Sequence, residues 1–129
     1  MTVTNFEHIT HELSEDELEI IPLVKLFFEL YNKENPIKSP AFVEMINRNL
    51  LHNGYTIQIN EVRLRKFVNY IRKNSLLPLI ATSKGYFVSY DPEVIKSQIR
   101  SLRERASSIL DCANGLQGFI PVEKNLTVQ

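Results

Sequence analysis

The chain has no tryptophan, one cysteine, four glycines and no net charge over its 129 residues. Each shortage removes a class of protein. A single thiol, Cys112, cannot close an internal disulfide, which excludes the small disulfide-stapled domains and suits a reducing compartment. The glycines, Gly54, Gly85, Gly115 and Gly118, are scattered as stops and turns and form no loop that cradles a nucleotide phosphate. No apolar run approaches the length of a membrane span, and residues 1–10 carry no apolar leader, so a cytoplasmic protein with no membrane partner is expected.

Catalytic constellations are equally scarce. His8 and His11 stand beside Glu7 and Glu12 without further ligands at supporting spacing, and are expected as surface residues. Cys112 has no companion histidine and is expected as a small helix-packing residue. The expectation is a protein that is not an enzyme and holds no metal or other cofactor.

What the chain does have is an ordinary globular balance, 43% hydrophobic against 23% charged, and room for one domain with a real core. Its zero net charge hides a strong asymmetry. Residues 1–37 hold two lysines against eight acids, a net of −6, whereas residues 38–110 hold twelve Lys/Arg against five acids, a net of +7. The positive middle is where a polyanion would be met.

Residues 60–90 organise that middle. Asn60 is a candidate N-cap, and Leu64, Phe67, Val68 and Ile71 follow at i, i+3, i+4 and i+7, which predicts a helix with one apolar face. Lys66 and Lys73 fall opposite that face, flanked by Arg65, Asn69 and Tyr70. Pro78 forbids continuation, and two short β-prone runs, residues 79–81 and 86–88, are joined by Thr82, Ser83, Lys84 and Gly85. That is a tight hairpin with a lysine at its tip and a glycine supplying positive φ.

Around this unit the sequence predicts three more helices. Ser14 and Glu17 form a capping box for a first, acidic helix, in which Pro22 demands a kink or a restart; Asn35 and Pro36 end it. Ser39 as cap with Pro40 at the first helical position opens a second helix that buries Phe42, Met45 or Ile46, and Leu50, and stops at Asn53-Gly54. Residues 55–59 alternate and are expected as a short strand completing a three-stranded sheet with the hairpin. Asp91-Pro92 opens the last helix, with Gly115 as its stop. Along it Ile95, Ile99, Leu102, Ala106, Ile109, Ala113 and Leu116 are spaced 4, 3, 4, 3, 4, 3, the repeat of a coiled-coil seam.

The expected fold is therefore α+β and mostly helical: a winged helix-turn-helix with a small antiparallel wing sheet and a long C-terminal helix. Residues 1–13 are expected as a flexible lead-in, 14–90 as the winged-helix domain, 91–116 as a coiled-coil-like helix and 117–129 as a flexible tail.

Three stretches also resemble a group of small winged-helix proteins of bacterial viruses and other mobile elements. They are Val62-Arg63-Leu64-Arg65 through Tyr70-Ile71-Arg72-Lys73-Asn74, the run from Leu77 through Ser83-Lys84-Gly85-Tyr86 to Val88, and Ser101-Leu102-Arg103-Glu104-Arg105-Ala106. The resemblance covers roughly residues 14–116. It implies a DNA-associated role in regulating or replicating a mobile element, and brings no catalytic residues.

The residues expected to meet double-stranded DNA are Arg63, Arg65, Lys66, Asn69, Tyr70, Arg72, Lys73, Ser83 and Lys84. Lys66, Asn69 and Lys73 are aimed at bases and Lys84 at a phosphate. The seam, Ile95 to Leu116, is expected to form a homodimer, against the plainer reading that it lies back on Phe27 and Tyr31. A second class of function fits the same fold: a protein-interaction module that works through the acidic first helix or the seam.

Overall fold

A computed structural model describes residues 12–121. Over these the chain is α+β, mainly helical, with one two-stranded antiparallel sheet and a long C-terminal helix. Among the described residues no helix is long and apolar enough to cross a membrane.

The first predicted helix is two. The capping box forms at α1 (Glu15–Glu19): the Ser14 hydroxyl accepts from the Glu17 N–H at 3.1 Å, and the Glu17 carboxylate accepts from the Ser14 N–H at 2.9 Å. The chain then restarts as α2 (Ile21–Phe28) with Pro22 in its first turn, where a missing N–H costs least. It ends at Phe28 rather than near Asn35, leaving by i+3 turns at Leu30 and Tyr31.

The next helix, α3 (Ser39–His52), is capped differently from expectation. Lys38 is its N-cap and gives no side-chain cap bond, while Ser39 is already helical beside Pro40. Phe42, Ile46 and Leu50 are buried and Met45 is only half-buried. Gly54, at φ 84°, ends the helix in the left-handed region, with the Tyr55 N–H returning to the Leu50 carbonyl at 2.9 Å.

Residues 55–59 are not a strand. The peptide of Ile59 is taken by a side chain instead: the Asn47 amide donates to the Ile59 carbonyl at 2.8 Å and accepts from the Ile59 N–H at 2.9 Å. An amide carries one donor and one acceptor side by side, so it satisfies a peptide as a strand neighbour would. The connection is pinned to α3 and never reaches the sheet.

Asn60 caps α4 (Glu61–Lys73), accepting from the Arg63 N–H at 2.8 Å, and Leu64, Phe67, Val68 and Ile71 are all buried. The hairpin follows as β1 (Leu79–Thr82) and β2 (Gly85–Val88), paired Leu79 to Val88 through Thr82 to Gly85. Its third neighbour is Ile37, which exchanges both backbone bonds with Tyr86, at 2.9 and 2.7 Å. Tyr31 adds a carbonyl for the Val88 N–H at 3.0 Å. The segment between α2 and α3 thus takes the place expected for residues 55–59.

The core lies between α2, α3, α4 and the hairpin. Phe28 stacks on Phe42 with ring centroids 3.9 Å apart and meets Tyr86 edge-on at 5.7 Å. Phe28 and Phe42 are fully buried, and burying each contributes about 1.5–3 kcal/mol.

The last helix, α5 (Pro92–Gln117), is capped by Asp91, whose carboxylate accepts from the Glu93 N–H at 3.0 Å. It passes through Gly115, because Gly115 adopts helical backbone and the chain leaves only after Gln117, in i+3 turns. Val94, Ile95, Gln98 and Leu102 are half-buried at its base, and every residue from Arg103 to Pro121 is exposed. The helix rests on β1 and then stands clear of the domain.

Candidate functional site

The outward side of α4 is set by its inward side. With Leu64, Phe67, Val68 and Ile71 fixed in the core, helical geometry turns Arg65, Lys66, Asn69 and Lys73 out. Arg65, Asn69 and Lys73 are exposed, and Lys66 and Tyr70 are half-buried. Together with Glu12, Leu13 and Leu18, the residues Lys66, Asn69, Tyr70 and Lys73 line an open cleft of about 400 Å³. Glu61 is the sole acid on α4. Arg65, Lys73 and Lys84 make no ion pair among the described residues.

The hairpin tip is Ser83-Lys84, both exposed. The Thr82 hydroxyl accepts from the Lys84 N–H at 3.1 Å and closes the turn locally. Gly85 sits at φ 128°, and a Cβ there would fall on the Ile37 carbonyl. Glycine is therefore required both for the turn and for the close approach of the neighbouring chain.

Two cations expected at the interface are held by the fold. Arg63 is clamped by Glu17, with Nε donating to Oε2 at 2.8 Å and a terminal nitrogen to Oε1 at 2.5 Å; the same nitrogen donates to the Glu12 carbonyl at 3.1 Å. Burial alone would raise the Glu17 carboxyl, but the bonds from Arg63 and from the Ser14 N–H more than offset it and hold the group below its ordinary value. The pairing in turn raises the Arg63 guanidinium. The acidic α1 thus comes alongside the first turn of α4 and consumes Arg63.

Arg72 is the other cation so held. Its Nε donates to the Leu79 carbonyl at 2.9 Å, and a terminal nitrogen donates to the Gln98 side-chain oxygen at 2.9 Å. Burial pushes its guanidinium pKa down, more than the nearby Tyr86 restores, and Arg105 adds to the fall. Gln98 on α5 also accepts from the Ala81 N–H on β1 at 2.5 Å. Arg72 and Gln98 thereby fasten the end of α4, the outer edge of the hairpin and the base of α5 to one another. They fix where the hairpin stands relative to α4 and satisfy an edge strand that would otherwise be bare.

Of the residues singled out in the sequence, Arg65, Lys66, Asn69, Tyr70 and Lys73 share one side of α4, and Ser83 and Lys84 share the tip of the hairpin tied to its end. Arg63 and Arg72 stand apart as positioning residues. Gln98 and Asn47 carried no sequence signal, since a lone amide on a helix is ordinarily solvated. Cys112 is exposed rather than packed. His8 and His11 lie outside the described residues, and among those described no group of His, Cys, Asp and Glu is arranged for a metal. Comparison with protein-family models, with characterised proteins and with solved structures finds no match to this chain.

Proposed function

We propose that the protein is a winged-helix DNA-binding protein with a regulatory or replication-associated role, α3 and α4 acting as its helix-turn-helix and the β1–β2 hairpin as its wing. The observation that carries this is the outward side of α4: Arg65, Lys66, Asn69 and Lys73 in succession, beside a hairpin whose exposed tip is Lys84. In the major groove Asn69 pairs with adenine, which offers one donor and one acceptor, and Lys66 and Lys73 meet guanine acceptors. Arg65 and Lys84 take phosphates, which add affinity without sequence information. Two copies joined through α5 read a doubled site.

The test is fluorescence anisotropy of the full chain on random-sequence duplex at about 50 mM and about 200 mM salt. Binding should weaken steeply between the two, and Lys66→Ala with Lys73→Ala should remove most of it. Unchanged affinity in that double variant would rule out α4 as the contact.

The uncovered length of α5 favours one other reading, a winged helix that serves as a protein-interaction module. In that case duplex binding is weak at both salt concentrations while the oligomeric state depends on α5.

A further inference from the structure

We infer that two copies pair through the free part of α5 in antiparallel orientation, symmetric about residue 111, as a dimer that holds two DNA-reading units one helical turn apart. The inference deepens the reading above and names the partner, a second copy of this chain, and the way it lies.

The free part of the helix is rich in uncovered apolar surface. Ile109, Leu110 and Leu116 are between 63% and 69% exposed, and Phe119, just past the helix, is 85% exposed. This stretch also contains Ser107, Ser108, Asn114 and Gly115, all poor helix formers, and its cations and acids make no ion pair within it. A helix so composed gains little from its own sequence and is stabilised by burying its apolar stripe.

The spacing identifies the occupant. A 3.5-residue repeat matches another helix with the same repeat, and the nearest such helix is this one. Orientation follows from volume. A parallel pair would set Ala106 against Ala106 and Ala113 against Ala113 in alternate layers, on either side of Ile109, leaving two voids. An antiparallel pair sets alanine against a large residue in each layer, Ala106 against Leu116 and Ala113 against Ile109, which keeps the layer volume even.

Position follows from what the domain already covers. Ile95, Gln98 and Leu102 are engaged at the base, so the overlap must lie beyond Arg103. Centring the pair on residue 111 does this. It also brings Arg105 to the Phe119 ring and Arg103 to Gln117, so that no like charges meet, and it places the two Leu110 side chains together. The two Gln98 anchors then stand about 39 Å apart, from 26 residues at 1.5 Å each. That is close to the separation of about 34–36 Å between successive major-groove half-sites on one face of a duplex.

The test uses the full chain without DNA, so its failure is separate from failure of the DNA reading. Sedimentation equilibrium should show a dimer, and Ile109→Asp should give a folded monomer, since Ile109 is 68% exposed and outside the core. Orientation is read by bismaleimide cross-linking. Cys112 lies beside the symmetry axis in the antiparallel pair and should give a covalent dimer. Ala106→Cys in a Cys112→Ser background should give none, because the two positions are then about 15 Å apart along the axis. A covalent dimer through Ala106→Cys, no product through Cys112, or a chain that stays monomeric throughout would each overturn the proposal.

Discussion

Glu17 and Arg63 meet across 46 residues of sequence in a two-pronged ion pair, at 2.8 and 2.5 Å, whose carboxylate also closes the N-terminal cap of α1. One side chain therefore secures the start of the acidic helix and its seat against α4. The Glu17 side chain is 9% exposed and that of Arg63 23%, so solvent screening weakens the pair only in part.

Replacing Glu17 by Gln should cost about 1–2 kcal/mol at neutral pH, less than the ~3–5 kcal/mol for breaking a fully buried pair. A carboxyl held below its ordinary value of 4.5 gives its full stabilisation above that value and loses it as pH falls through the lowered one. Denaturant unfolding of both proteins at neutral pH and near pH 3 should thus show a gap that narrows in acid. A gap of equal size at both would mean that ionisation of Glu17 is not what stabilises the fold.

Gly85→Ala should destabilise by about 2–4 kcal/mol, since the new methyl group meets the Ile37 carbonyl and the backbone sits at φ 128°. Thermal melting measures this directly. A loss under about 1 kcal/mol would show that Ile37 does not lie against β2 as described.

Ser75 stands at φ 55°, where α4 ends with the Leu76 N–H returning to the Ile71 carbonyl at 2.9 Å. The end of α3 is built the same way, with Gly54 at the equivalent place. Ser75→Gly should therefore stabilise by about 0.5–1 kcal/mol, whereas Gly54→Ala, with open space around it, should cost about 1 kcal/mol through backbone strain alone. Opposite signs in paired melts are the expected outcome; matching signs would contradict it.

Gln98→Leu keeps bulk but leaves the Ala81 N–H and one arm of Arg72 without an acceptor, at a cost of about 1–3 kcal/mol. Hydrogen exchange at Ala81 should quicken in this variant. If its exchange rate does not change, α5 is not what protects the outer strand.

Among the cations, Lys84→Ala should weaken duplex binding evenly across sequences and lower the salt slope by about 1. Asn69→Ala should instead relax preference at one base pair, costing about 1–3 kcal/mol on the preferred site alone. Arg63→Ala should lower stability while leaving the salt slope of the remaining folded protein unchanged.

The features legible in the sequence are those written within a turn or two of chain: the caps at Ser14, Asn60 and Asp91, the apolar face of α4, and the hairpin around Gly85. Each depends on neighbours a few residues away, so spacing alone reports it. Features resting on distant partners were not legible. Nothing local distinguishes Arg63, which Glu17 claims, from Arg65, which remains exposed. Nor does alternation in residues 55–59 reveal that Asn47 will claim the Ile59 peptide, or that Ile37 will take the sheet edge left open.

The two bonds from Asn47 have a mechanical effect. Ile59 immediately precedes the cap of α4, so the amide welds the start of that helix to the middle of α3, and any tilt of one is passed to the other. The pair turns as a single rigid jaw. On the doubled site proposed above, adjustment to a different spacing would then fall to the long exposed helix, far from the surface that meets the duplex.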